Sequence, residues 1–213
     1  ARLGRLVGGR GLASCAGIVS GAAAPDVFYT YRAPILADVV GLDAAGTGLV
    51  LLLFGAACVG SNLLSGWVAG RFGLRALPVA FAAHAALLAL LAVSLPAGVV
   101  SSANILAVGL LMYVMNSTVQ MLFQSVARTD YPSALTFSAS LHPMSFNAGI
   151  ALGSFAGGLV VNAGGLLATG PAGALFALAA AALALALVRM TARRSVESAA
   201  EAARTAATAR EPR

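Results

Sequence analysis

Residues 66–75 read Gly66-Trp67-Val68-Ala69-Gly70-Arg71-Phe72-Gly73-Leu74-Arg75, a short basic turn between two long apolar runs. Gly66 and Gly73 permit a tight turn and a close approach of the flanking segments. Arg71 and Arg75 hold the turn in water at one side of whatever the apolar runs enter. Outward from this turn, apolar runs lie at 12–36, 46–68, 76–95, 103–126, 135–161 and 169–189, separated by charge or by Gly and Pro. Each is long enough to cross a bilayer as a helix, which takes about 20 apolar residues. Backbone groups in hydrocarbon have to be satisfied internally, so such runs are helices, and the alternation of a membrane barrel is absent. The expected fold is all-α and integral to the membrane: a bundle of six transmembrane helices over 12–189, with a lead-in at 1–11 and a tail at 190–213.

Composition points the same way. Of 213 residues, 60% are hydrophobic and only 9% charged, with a mean hydropathy of +0.91, whereas an average soluble domain is about a quarter charged. All thirteen basic side chains are Arg, and twelve fall on one side of an even number of spans. Arg2, Arg5 and Arg10 precede the first span, Arg71 and Arg75 follow the second, and Arg128 follows the fourth. Arg189, Arg193, Arg194, Arg204, Arg210 and Arg213 follow the last. The opposite connections carry Asp38 and Asp43, and no charge at 96–102 or 162–170. Positive residues accumulate in cytoplasmic loops, so both ends are expected in the cytoplasm of a multi-pass plasma-membrane or inner-membrane protein.

The pI of 10.4 arises from short clusters between spans and not from one basic patch, which argues against nucleic-acid binding. Cys15 and Cys58 sit inside apolar runs and read as packing residues, with no disulfide framework or metal site. The tail is Ala-rich, with Glu201 and Arg204 at helical spacing, and is expected to extend the last helix before fraying into disorder. The chain opens on Ala1 without a signal-peptide pattern and is expected to start within a longer protein.

The turn at Gly66, Gly70, Arg71, Gly73 and Arg75 resembles the cytoplasmic signature loop between the second and third helix of each half of the major facilitator superfamily, with Gly70 at the acidic position. Residues 29–36, YTYRAPIL, look like the seventh helix of its drug and sugar efflux branch, which includes arabinose-type efflux permeases and chloramphenicol exporters. Residues 51–66, LLLFGAACVGSNLLSG, continue the likeness through the eighth. The run from Asn147 through Gly149, Gly153, Gly157 and Gly158 is similar to the eleventh helix, with Ser154 where the antiporter signature has Pro. The resemblance implies the C-terminal half of a facilitator fold, helices seven to twelve, whose partner is a missing N-terminal six-helix half. Gly149, Gly153 and Gly157 recur every four residues, the spacing that lets two helix backbones approach in lipid.

Polar groups inside a membrane face the bundle interior or a watery cavity. Tyr113, Asn116, Gln120 and Gln124 share one helical face and are candidates to line a cavity, with interhelical hydrogen bonding as the plainer alternative. Asp26, Tyr29, Thr30 and Arg32 lie within two turns of the first span, where Tyr29 and Thr30 are cavity candidates. Asp26 is the one carboxylate well inside an apolar run, a candidate proton-coupling group unless it pairs with Arg32 or sits at the interface. His142 stands beside Pro143, a residue that kinks helices, with Ser138 and Ser145 on the same face. It is a further cavity candidate or a hydrogen-bonded packing residue. His84 has no polar companions at helical spacing.

The function expected from the resemblance is secondary active transport: efflux of a small organic molecule, a drug or sugar, coupled to protons. The partners are then the lipid bilayer, the solute and protons. No cofactor, metal or catalytic residue is expected, and no Gly-rich nucleotide loop is present. A non-transporting scaffold or receptor subunit, or a membrane-embedded enzyme, are the alternatives from other classes. The enzyme would need clustered His, Asp or Glu at the interface, and the two His lie on different runs.

Overall fold

A computed structural model describes the backbone of residues 9–98, 100–121 and 135–208, and the side chains within 15–98, 100–121, 140 and 142–193. Helix α1, Gly9–Tyr29, ends in a turn at Thr30 and Tyr31; one α-helical turn, Arg32–Pro34, then runs into a π-helical turn, Ile35–Val39. Five long helices follow: α2, Ala44–Phe72; α3, Ala76–Ser94; α4, Val100–Met112; α5, Leu135–Gly164; and α6, Thr169–Thr208. No strand occurs among the described residues.

Local chemistry sets the breaks. Asp43 caps α2, its Oδ1 accepting the Gly46 amide at 2.8 Å and so satisfying a donor that the first turn leaves free. Phe72 ends α2 because Gly73 takes φ 53°, open to glycine without a Cβ penalty, and its amide still reaches the Ala69 carbonyl. The apolar run expected as one helix over 12–36 is interrupted at Thr30 and Tyr31. Pro34 has no amide for the Thr30 carbonyl, and the Tyr31 amide bonds only three residues back, to Phe28 at 3.0 Å, which tightens the turn.

In the bundle, α1 packs on α5 and α6, α3 packs on α6, and α4 packs on α2 and α3. One apolar core joins Phe28, Leu88, Leu91, Ile105 and Ala177; a second joins Ile18, Leu77, Phe81, Met115 and Ala180. The outer surface is apolar as well: Leu63 is 75% exposed, Leu52 71% and Leu175 69%. Such a surface is costly in water and suited to lipid. Four stretches of the described residues are long and apolar enough to cross a membrane: Ala44–Ala97, which takes in both α2 and α3, Val100–Met121, His142–Gly164 and Leu166–Arg193.

The two ends of the bundle differ in charge. Ile35–Val39 touches the 3-10 turn Leu166–Ala168 at one end, while Leu77 and Leu187 line a common crevice at the other. Exposed Asp38 and Asp43 therefore lie at the first end, and exposed Arg71, Arg75, Arg189 and Arg193 gather at the second.

The tightest seam is between α1 and α5. A Cβ at Gly149 would come within 2.6 Å of the Val19 carbonyl oxygen, and one at Gly157 within 2.7 Å of that of Val27. At Gly153 it would run into the Ala23 carbonyl oxygen and lie 2.9 Å from the Asp26 Cβ. Three glycines one turn apart thus meet three carbonyls one turn apart, a backbone approach that only small residues permit.

Candidate functional site

Helix α4 stops at Met112, and residues 113–115 form a turn before helix resumes over 116–121. The Val114 and Asn116 amides bond three residues back, to Leu111 at 3.3 Å and Tyr113 at 2.9 Å. Two amides displaced from the helical ladder are taken up by α2: Tyr113 donates to Ser61 Oγ and Ser117 to Ser65 Oγ, each at 2.8 Å. Both serines are fully buried. Non-helical backbone at membrane depth is tolerated where it is buried in protein or lines a cavity, and this break does both. Beside it opens a small pocket of about 30 Å3, lined among others by Phe81, Met115, Tyr113, Asn116, His142 and Phe146. Phe146 stacks on His142, with ring centroids 6.2 Å apart and planes 20° apart, and lies 6.1 Å from the Tyr113 ring. The pocket therefore has aromatic and apolar walls with a phenol, an amide and an imidazole set into them. That composition suits an amphipathic solute.

A second polar group lies at the break in α1. Arg32 follows the break in α1. Its Nη1 donates to the Tyr29 carbonyl at 2.9 Å, and its guanidinium carbon lies 3.5 Å from the Tyr29 ring centroid and 5.6 Å from that of Phe54. Asp26 is 3% exposed, set against Gly153 on α5, and its Oδ2 makes no hydrogen bond. One turn on, Thr30 shares a 2.8 Å hydrogen bond with Ser154 of α5 and donates to the Asp26 carbonyl at 3.1 Å.

Of the cavity candidates read from the sequence, Tyr113, Asn116 and His142 meet around the pocket. Tyr29 and Thr30 lie instead at the break in α1, Tyr29 against Arg32 and Phe54, Thr30 against Ser154. Gln120 is exposed and does not line the pocket, and Gln124 lies outside the described residues. Around the basic turn, a Cβ at Gly66 or Gly70 would meet nothing within 4 Å. The close approach expected at Gly66 is therefore not made among the described residues, because that face of α2 is exposed; the positive φ of the turn is taken by Gly73. Sequence reasoning missed Ser61 and Ser65, whose signal was only a pair of hydroxyls one turn apart in an apolar run. Cys15 and Cys58 are free thiols. No group of three His, Cys, Asp or Glu able to hold a metal occurs among the described residues.

A helical bundle with an apolar exterior, opposite charge at its two ends and a polar-walled pocket beside a broken helix has the architecture of a multi-pass membrane protein. The chain is similar to the uncharacterized MFS-type transporter YtbD of Bacillus subtilis (strain 168), with 32% identity over 154 residues, or 72% of this chain. It spans 39% of that relative's length. This similarity supports membership of the major facilitator superfamily, and the relative is a transporter and not an enzyme. No protein-family model matches the chain.

Proposed function

We propose that the chain is the C-terminal, six-span half of a proton-coupled major facilitator exporter that moves a small organic molecule, a drug or sugar, by alternating access. The observation that carries this reading is the meeting of Tyr113, Asn116 and His142 around open space beside the break after α4, inside a largely apolar bundle. In transporters, broken helices and polar groups of this kind cluster where the solute binds, near the middle of the membrane. The helices α1 to α6 would each span once, with the Arg-rich end in the cytoplasm and the N-terminal half closing the open side of the cavity. Asp26 is the coupling group in this reading: it is buried, it touches α5, and one carboxylate oxygen is free to exchange a proton.

The test is efflux of a fluorescent solute from cells expressing the protein as its gene encodes it, with and without an uncoupler. Uncoupler-sensitive export, lost in Asp26→Asn while solute binding persists, is the expected result. Export that ignores both the uncoupler and the substitution would remove the coupling proposal, and no export of any solute in a broad panel would remove transport itself.

A further inference from the structure

Arg32 is an unusual resident of this bundle. Among the residues whose side chains are described, the other arginines, Arg71, Arg75, Arg189 and Arg193, sit exposed at one end, whereas Arg32 lies partly buried beyond the break in α1. A guanidinium has five N–H donors. One of them is used, by the Tyr29 carbonyl, and the Nε donor is buried without any partner. No ion pair within 4 Å joins Arg32 to a carboxylate among the described residues: the guanidinium turns to the carbonyl and ring of Tyr29. Stacking on Tyr29, with Phe54 beyond, fixes the plane of the fork and leaves its Nε donor without a protein partner. A held, unneutralised guanidinium in a low-dielectric setting is a strong attractor for an anion.

Its neighbours define the rest of the ligand. Arg32 lies 5.6 Å from the Phe54 ring, which packs against Gly109 of α4, four residues before Tyr113; Tyr113 lines the pocket, whose other walls include Phe81, Met115, Val119 and Phe146. From these observations we infer that Arg32 is an anion-recognising group, and that the solute is an organic carboxylate whose apolar body occupies the pocket beside Tyr113. This rests on the reading of the pocket as a solute site and narrows its substrate class.

The test uses the protein as its gene encodes it, purified in detergent, with 1-naphthoate, 1-naphthamide, 1-naphthylmethylamine and inorganic phosphate as probes at constant ionic strength and pH. Thermal stabilisation by naphthoate alone is expected, with Arg32→Gln weakening its binding about tenfold or more, as loss of a charge-assisted hydrogen bond implies, and Arg32→Lys falling between. Equal stabilisation by naphthamide overturns the role of charge, and equal stabilisation by phosphate overturns the role of the apolar body. An Arg32→Gln effect seen only with added phosphatidylglycerol, with naphthoate inert, overturns the site in favour of a lipid anchor. If Arg32→Gln does not fold, the probe comparison on the unaltered protein and Arg32→Lys still decides. Parallel efflux measurements separate the two levels: naphthoate binding without export sinks the transport reading alone, and export with no carboxylate binding sinks this one alone.

Discussion

The amide of Tyr113 donates to Ser61 Oγ at 2.8 Å, and one turn further Ser117 does the same to Ser65, so two side chains of α2 supply acceptors that the helix after Met112 cannot. Replacing either serine by Ala leaves a buried amide unpaired, a loss of about 1–3 kcal/mol. Ser61→Ala and Ser65→Ala are each expected to lower the melting temperature in detergent. Asn62→Ala, which removes an exposed side chain bonded to its own helix at Cys58, is expected to change it little. Equal effects from all three would show that the hydroxyls do not hold the break.

Gly153→Ala places a methyl against the Ala23 carbonyl and the Asp26 Cβ, both on the backbone-proximal part of α1 and unable to swing aside. Overpacking of this kind costs about 1–3 kcal/mol. Gly55→Ala on the open face of α2 has nothing within 4 Å and is expected to be neutral or to stabilise by up to about 1 kcal/mol through helix propensity. Thermal melts of the two variants check the contrast in sign.

Asn116→Leu keeps the size of the side chain while removing its amide from the pocket wall. If the pocket holds solute, the apparent KM for export rises several-fold while protein yield and melting temperature hold. An unchanged KM together with a lower melting temperature would mark Asn116 as a packing residue.

Asp43→Ala removes the cap of α2, a change that costs about 0.5–2 kcal/mol. Its effect belongs to stability alone. Transport normalised to folded protein is expected to stay level, because Asp43 is exposed at the end of the bundle opposite Arg71 and Arg75.

Hydropathy and charge made much of the architecture readable. Among the described residues Arg71, Arg75, Arg189 and Arg193 do gather at one end and Asp38 and Asp43 at the other, because charged groups stay out of lipid whatever the side chains between them do. The spacing of Gly149, Gly153 and Gly157 announced a close helix contact, yet nothing in it named α1 as the neighbour. The breaks at Thr30 and after Met112 were not legible. An apolar run records what its side chains prefer, whereas a break depends on where displaced amides find acceptors, and those acceptors, Ser61 and Ser65, come from a helix about 50 residues away in sequence. Gln120 matched the stripe of Tyr113 and Asn116 only while α4 was taken as continuous. The turn at 113–115 shifts Tyr113 relative to the helix beyond it, while Gln120, one turn past Asn116 in that resumed helix, is exposed and lies beyond the end of the pocket.

The repeat of glycine against carbonyl along α1 and α5 has an ambiguity built into it. Sliding α5 by one turn, about 5.4 Å, would set Gly153 against Val19 or Val27 in place of Ala23 and reproduce much the same backbone fit. The seam by itself therefore has several nearly equivalent registers. The pair Thr30 and Ser154 breaks the tie, since their 2.8 Å hydrogen bond exists in only one of them. Two hydroxyls thus act as the index mark of a ratchet whose teeth are all alike, and with both replaced by Ala, engineered cross-links from position 153 are expected to lose their preference for position 23 over position 27.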